Sequence, residues 1–175
     1  MITNIEPVSE LTEIVSLLGE CGLPVSDISL SQPPLFFGTR SDSNLSAVVG
    51  LEVFGSVALL RSLAVAPAYR GRGLSRELVV YAEHFAGSHG VEFLFLLTTT
   101  ATGFFTRLGY VPASRSTAPF AIQTTSQFSG LCPASSAFLS KSVAGLTRRS
   151  SGTAEKRGSP STLLQGLPQI FNYCC

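Results

Sequence analysis

The segment Arg70-Gly71-Arg72-Gly73-Leu74-Ser75-Arg76 gathers three arginines and two glycines where a β-rich run gives way to a helical pattern. Main-chain N–H groups at the start of a helix are unpaired and lie at the positive end of its dipole, so they bind anions. Glycines at 71 and 73 let that backbone approach a diphosphate that a Cβ would hold off. Arg70, Arg72 and Arg76 would add charge-assisted bonds to phosphate oxygens. The string is not a GxxxxGK[ST] loop, since it has no lysine. It is not a GxGxxG fingerprint either, since position 76 is arginine. A plain glycine-rich turn with its arginines in water would read the same way, and that alternative stays open here.

A second pair of chemically useful residues is Glu52 and Arg61. If Gly55-Ser56 is a two-residue turn, Glu52 pairs with Leu59 and Arg61 falls on the same sheet face. A carboxylate there could take a proton from an amine, and a guanidinium could grip a substrate carboxylate. The alternative is a mutually neutralising pair in a half-buried sheet. Ser62 faces the other way in this register, and a one-residue slip would exchange the roles. His84 and His89 read as solvated residues on or after a helix.

The elements that must position these residues follow from periodicity. Ile2–Ile5 reads as a short strand, and a helix starts near Ser9 or Glu10 with Leu11, Ile14, Val15 and Leu18 on one face. Residues 25–34 are a short helix or a loop. Leu35–Thr39 is a strand ended by a turn at Ser41–Asn44, and Ala47–Phe54 with Val57–Val65 is a hairpin. A helix covers about Gly73–Ser88, a buried strand Val91–Leu97, and a short helix Ala101–Leu108. Tyr110-Val111 starts another strand, Pro119–Phe128 a further helix, and Ala137–Val143 a last strand. Antiparallel strands followed by a strand–helix–strand unit make a mixed α/β sheet with helices on its faces. Residues 144–175 hold four bases, one acid and many Ser, Gly, Thr and Pro, so the domain is expected to span 1–143 with a disordered tail after it.

Composition narrows the function classes. The 175 residues suit one domain, with 45% hydrophobic and 13% charged residues. A net charge of +1 argues against nucleic acid as the main partner. The distribution says more: seven acids and one base precede residue 56, whereas six arginines against three glutamates lie between Arg61 and Arg115. Clustered arginine suits an anionic ligand. The four cysteines, Cys21, Cys132, Cys174 and Cys175, have no metal-ligand or CxxC spacing, so no metal is expected and a reducing cytosol fits. No leader pattern and no apolar run of membrane length are visible, so a soluble cytoplasmic protein is expected, without a membrane partner. A homodimer stays open.

The wider context of the loop resembles the GNAT family of acetyltransferases over about Ile2–Val143. That family's loop follows the pattern Arg/Gln-x-x-Gly-x-Gly/Ala after Leu-x-Val-x-Pro. This chain has Leu63-Ala64-Val65-Ala66-Pro67 and then Arg70 to Ser75, with serine where Gly or Ala is usual. Phe104-Phe105-Thr106-Arg107-Leu108-Gly109-Tyr110 is similar to the family's Phe/Tyr-x-x-x-Gly-Phe/Tyr motif at the expected distance. The resemblance implies acetyl-CoA as co-substrate, held between two splayed strands that end at Val65 and Leu97. It further implies pantetheine beside Leu63, Ala64 and Val65, the Val65 N–H at the acetyl carbonyl, and Thr98 and Phe105 near the sulfur. The family's proton-donating Tyr corresponds to Phe105, which cannot donate.

Gly50–Gly55, Leu59–Leu63, Leu96–Thr100 and Leu131–Ser135 together resemble the small arsenic-resistance N-acetyltransferases. That resemblance implies a small-molecule amine as acceptor, an amino-acid-like arsenical or phosphinic compound. Arg61 or Arg115 would grip its acidic group and Glu52 would handle its amine. A peptide or protein acceptor, or a sensor that binds acetyl-CoA without transfer, are the alternatives.

Overall fold

The computed structural model describes residues 3–29 and 31–146. Its elements run β1 (Glu6–Pro7), α1 (Leu11–Glu20), β2 (Leu35–Ser41), β3 (Asn44–Phe54), β4 (Val57–Val65), α2 (Leu74–Ser88) and β5 (Phe93–Thr98). They continue with α3 (Thr102–Arg107), β6 (Val111–Pro112), α4 (Phe120–Gln123) and β7 (Ala137–Ser142). The strands form one sheet in the order β1-β2-β3-β4-β5-β7-β6. Every neighbouring pair is antiparallel except β4 and β5, which are parallel around the α2 crossover. This is the expected mixed sheet with helices on both faces.

Alternation along the strands divides the core. On one face Val49, Leu51, Leu60, Leu63 and Leu96 pack under Leu78, Ala82 and Ala86 of α2. On the other face Val48 and Ala64 meet Ile14, Leu17 and Leu18 of α1. Farther along that face Leu59, Leu97 and Phe138 meet Ile122 of α4. Each fully buried leucine in these layers contributes about 1.5–3 kcal/mol. The second face therefore carries two separate packings, and Arg61 lies between them along β4.

Two turns set the register. Asp42 and Ser43 both have positive φ, 49° and 68°, which a two-residue turn between β2 and β3 requires. Gly55-Ser56 joins β3 to β4 so that Phe54 pairs with Val57 and Glu52 with Leu59, as expected. Farther along, Val48 pairs with Ala64 and Gly50 with Arg61, so Ser62 and Leu63 together oppose Val49. Ser62 takes φ 53° at this bulge. A bulged strand bends, and β4 bends away from β5. Those two strands pair only from Val57 with Phe93 to Leu59 with Phe95. Beyond, β4 stays with β3 as far as Val65 and β5 stays with β7 as far as Thr98, which opens a wedge.

Several local expectations are corrected. The first strand is Glu6–Pro7, not Ile2–Ile5, and Ile2 lies outside the described residues. Of the two alternatives left for residues 25–34, the loop is found: residues 25–29 and 31–34 form bends, turns and coil. The helix expected over Pro119–Phe128 is one turn, followed by a π-turn over Gln127–Leu131. Thr124 and Thr125 explain the break: their hydroxyls donate to Ala121 O and Ile122 O, and the Phe128 N–H donates to Thr125 Oγ1. Such bonds compete with the helical ladder. Past β7, the Val143 N–H donates to Glu92 O, and the Val143 and Leu146 carbonyls lie 2.6 and 2.7 Å from where a Gly87 Cβ would stand. The packed chain thus continues past 143 to Leu146. The expected tail from 147 lies outside the described residues.

Candidate functional site

The wedge between β4 and β5 leads to the loop Arg70–Gly73 and the start of α2. Ala66 donates its N–H to Ser46 O on the β3 side, and Ala64 pairs with Val48. By alternation, the main-chain groups of Leu63 and Val65 face the wedge. At the loop, Gly71 and Gly73 have φ of 74° and 80°. The left-handed backbone is what glycine tolerates and other residues resist. A Cβ on Gly73 would meet no protein atom within 4 Å, so the space over the loop is open to a ligand. Glu77 is the first α2 residue to close the ladder, donating to Gly73 O at 3.2 Å. The N–H groups of Leu74, Ser75 and Arg76 stand ahead of it, at the dipole's positive end. Wedge and helix start together fit a pantetheine arm and a diphosphate, through main-chain donors.

Two of the three arginines take partners within the protein. Arg70 turns back, donating from Nε to Val65 O at 2.9 Å and from Nη2 to Cys21 Sγ at 3.7 Å. It tethers the loop to the end of β4 instead of projecting into the phosphate space. Arg72 donates to Ala68 O at 3.2 Å and lies 5.2 Å from the Tyr69 ring centre. Arg76 is exposed at the head of a groove of about 1190 Å³ along the outer face of α2, which Val80, Tyr81, Phe85 and Leu146 also line. Ser75 is buried. Burial pushes the Cys21 thiol up, against a smaller opposing effect of Arg70.

On the other face, Glu52 and Arg61 meet as the register required. Arg61 Nη1 donates to Glu52 Oε1 at 2.5 Å. Asp27, which the sequence reading missed, arrives from the loop after α1. Its Oδ2 and Oδ1 accept from Arg61 Nη1 and Nη2 at 2.5 and 2.8 Å. Arg61 Nε donates to Ser62 Oγ at 3.2 Å. Ser62 was expected to face away; the bulge turns its hydroxyl onto Arg61. The Arg61 side chain is 2% exposed. Burial pulls its pKa down, but the bonds to Asp27 and Glu52 more than offset this and hold it above the ordinary value. The Arg61 fork, expected to grip a substrate carboxylate, is already on the carboxylates of Asp27 and Glu52.

The Glu52 side chain is 21% exposed. It opens on a pocket of about 290 Å³ whose rim includes Asp27, Ser29, Gln32, Thr124 and Ser126. Among the described residues Glu52 Oε2 takes no hydrogen bond. Arg115 does not line this pocket. Its guanidinium sits 5.0 Å from the Phe128 ring centre and donates to Pro133 O at 3.4 Å. Thr98 is buried, and its Oγ1 accepts the Ala101 N–H at 3.1 Å, so it caps the turn after β5. Phe105 is buried in the core, edge-on to Tyr110 at 5.4 Å. His84 borders the outer groove. His89 stacks on Phe85 at 4.0 Å.

A family model described as Acetyltransferase (GNAT) family matches residues 10–110. No curated protein matches the chain in sequence. In structure it is similar to N-acetylglutamate synthase from Neisseria gonorrhoeae, complexed with coenzyme A and N-acetyl-glutamate, with 23% identity and a TM-score of 0.69. That match covers 82% of this chain and 35% of the other, so the chain spans about a third of the synthase's length. It is similar to the ribosomal-protein-S18-alanine N-acetyltransferase from Escherichia coli, with 19% identity, a TM-score of 0.60, and 82% and 95% of the two chains covered. The PaiA N-acetyltransferase from Thermoplasma acidophilum, in complex with coenzyme A, gives 16% identity, a TM-score of 0.59 and coverage of 81% and 99%. At these identities the structural likeness establishes the fold. No helix among the described residues is long and apolar enough to cross a membrane.

Proposed function

We propose that the chain, which belongs to the GNAT acetyltransferase family, is an acetyl-CoA-dependent N-acetyltransferase whose acceptor is the primary amine of a small, amino-acid-like molecule. The observation that carries this reading is the Glu52–Arg61 pair on the rim of a pocket of about 290 Å³, small against the roughly 300–1,000 Å³ of common ligand clefts. A peptide or protein acceptor would need a longer channel. The resemblance of Leu96–Thr100 and Leu131–Ser135 to the arsenic-resistance enzymes supports an arsenical or phosphinic amino acid. With the Arg61 fork occupied, Ser29, Gln32 and Ser126 on the pocket lining are the donors left for the acceptor's anionic group.

Acetyl-CoA supplies the activated acyl group and a thiolate that leaves readily. The N–H groups of Gly71 to Arg76 bind its diphosphate, and Leu63 and Val65 receive the pantetheine arm along the wedge. The Val65 N–H holds negative charge as it develops on the carbonyl oxygen. Glu52, with Oε1 fixed by Arg61, takes the ammonium proton on Oε2, directly or through water, and frees the amine to attack. Phe105 gives no proton, so the leaving thiolate takes, through water, the proton that the attacking nitrogen sheds as the tetrahedral intermediate collapses. The catalytic unit is residues 1–143 with the short Ala144–Leu146 extension, and Cys21, which forms no disulfide among the described residues, suits a reducing compartment such as the cytoplasm.

Thiol release from acetyl-CoA with a panel of amino acids, phosphinic and arsenical analogues, polyamines and peptides tests the reading. Release with small acidic amino acids or their analogues, and little with peptides, is expected. Preference for peptides would move the acceptor to protein N-termini. Tight CoA binding with no release for any amine would make the chain a sensor.

A further inference from the structure

Resting on Glu52 as the base, we propose that Asp27 is a positioning residue that keeps Arg61 saturated, so that Glu52 keeps one oxygen for the acceptor's proton. Three side chains fix the guanidinium: Ser62 at Nε, Asp27 across Nη1 and Nη2, and Glu52 at Nη1. The Asp27 pair is bidentate and Asp27 is 9% exposed at its side chain, whereas Glu52 makes a single bond and is 21% exposed. The fork geometry that binds a carboxylate best is thus spent on the loop residue. Glu52 is held by one oxygen only, and its side chain lines the pocket.

Charge points the same way. Arg61, Asp27 and Glu52 are the only charged residues lining the pocket among the described residues; its other walls bring hydroxyls, an amide and apolar groups. One guanidinium against two carboxylates leaves the pocket with a net negative charge, which draws an ammonium group in. Without Asp27, the fork would be free to swing onto Glu52 and engage both its oxygens. The guanidinium charge would then fall on Glu52 alone, making it a weaker proton acceptor.

Asp27→Asn tests this, since the amide keeps the size and one acceptor oxygen. Turnover should fall roughly tenfold, a fraction of the full value of a positioned base, while the KM for acetyl-CoA stays within about twofold. The acidic limb of the rate profile should move to lower pH, and Asp27→Glu should recover part of the turnover. Glu52→Gln is measured alongside. If Glu52→Gln retains wild-type turnover, the base reading fails. If Glu52→Gln is inactive while Asp27→Asn keeps wild-type turnover and an unmoved acidic limb, the base stands and the role of Asp27 is overturned. Loss of CoA binding by Asp27→Asn would also overturn it, showing that Asp27 holds the fold and not the base.

Discussion

Two sites of the molecule are built from different materials: the wedge with the start of α2, proposed as the cofactor end, and the Glu52 pocket on the other sheet face, proposed as the acceptor end. The cofactor end is main chain: N–H groups of Leu63 and Val65 on an unpaired strand edge, then those of the first turn of α2. The acceptor end is side chain: Glu52, Arg61, Asp27 and Ser62, drawn from one loop and two strands. A main-chain site depends on backbone dihedrals and tolerates many side chains. A side-chain cluster depends on identity and fails with one change. One bulge at Ser62 serves both ends, bending β4 from β5 and folding a hydroxyl onto Arg61.

Substitutions should therefore separate cleanly by end. Glu52→Gln should lower turnover roughly a hundredfold or more, in the range of a general base, while CoA affinity measured by calorimetry stays unchanged. Equal losses in both would break the division. Gly73→Ala forces a Cβ into φ 80°, a strain of roughly 1–2 kcal/mol. CoA affinity should fall about tenfold by the usual 1.4 kcal/mol per decade, with turnover at saturating acetyl-CoA little changed. Arg70→Ala removes the tether to Val65 O and should weaken CoA binding roughly fivefold, a charged hydrogen bond's worth. If Arg70 instead gripped phosphate, the loss would vanish for a dephosphorylated pantetheine analogue; a loss that persists there supports the tether.

The smallest effect lies away from both ends. Arg40 donates to Glu13 Oε2 at 2.6 Å and holds the Glu13 carboxyl below the usual glutamate range, against a weaker opposing effect of burial. A depressed carboxylate contributes stability above its unfolded pKa and loses it as pH falls through the folded one. Glu13→Gln should lower Tm slightly at neutral pH and not at all in acid, with both proposed ends untouched. A change in CoA affinity would show that the ends are less separate than they look.

The same division explains what could be read from residues alone. The α2 loop is local: glycines, a helical pattern and Leu63-Ala64-Val65 lie within a few residues. Glu52 and Arg61 were also legible, because a two-residue turn at Gly55-Ser56 fixes their register. The bulge was not, since a serine with positive φ leaves no glycine to announce it. Asp27 was hidden for another reason: residues 25–34 carry no periodicity, so nothing aimed that carboxylate at β4. Arg61 as a free anchor was the consequence. Thr98 was read from its strand end and Phe105 from the family resemblance, and neither reading could show that Thr98 caps the next turn or that Phe105 is buried.

Residue-resolved amide exchange with and without CoA tests the main-chain cofactor end most directly. CoA should slow exchange at Leu63, Val65 and Leu74–Arg76, in the wild type and equally in Glu52→Gln. Unchanged exchange at those amides, with slowing instead along Val80–Phe85 on the outer face of α2, would contradict the account.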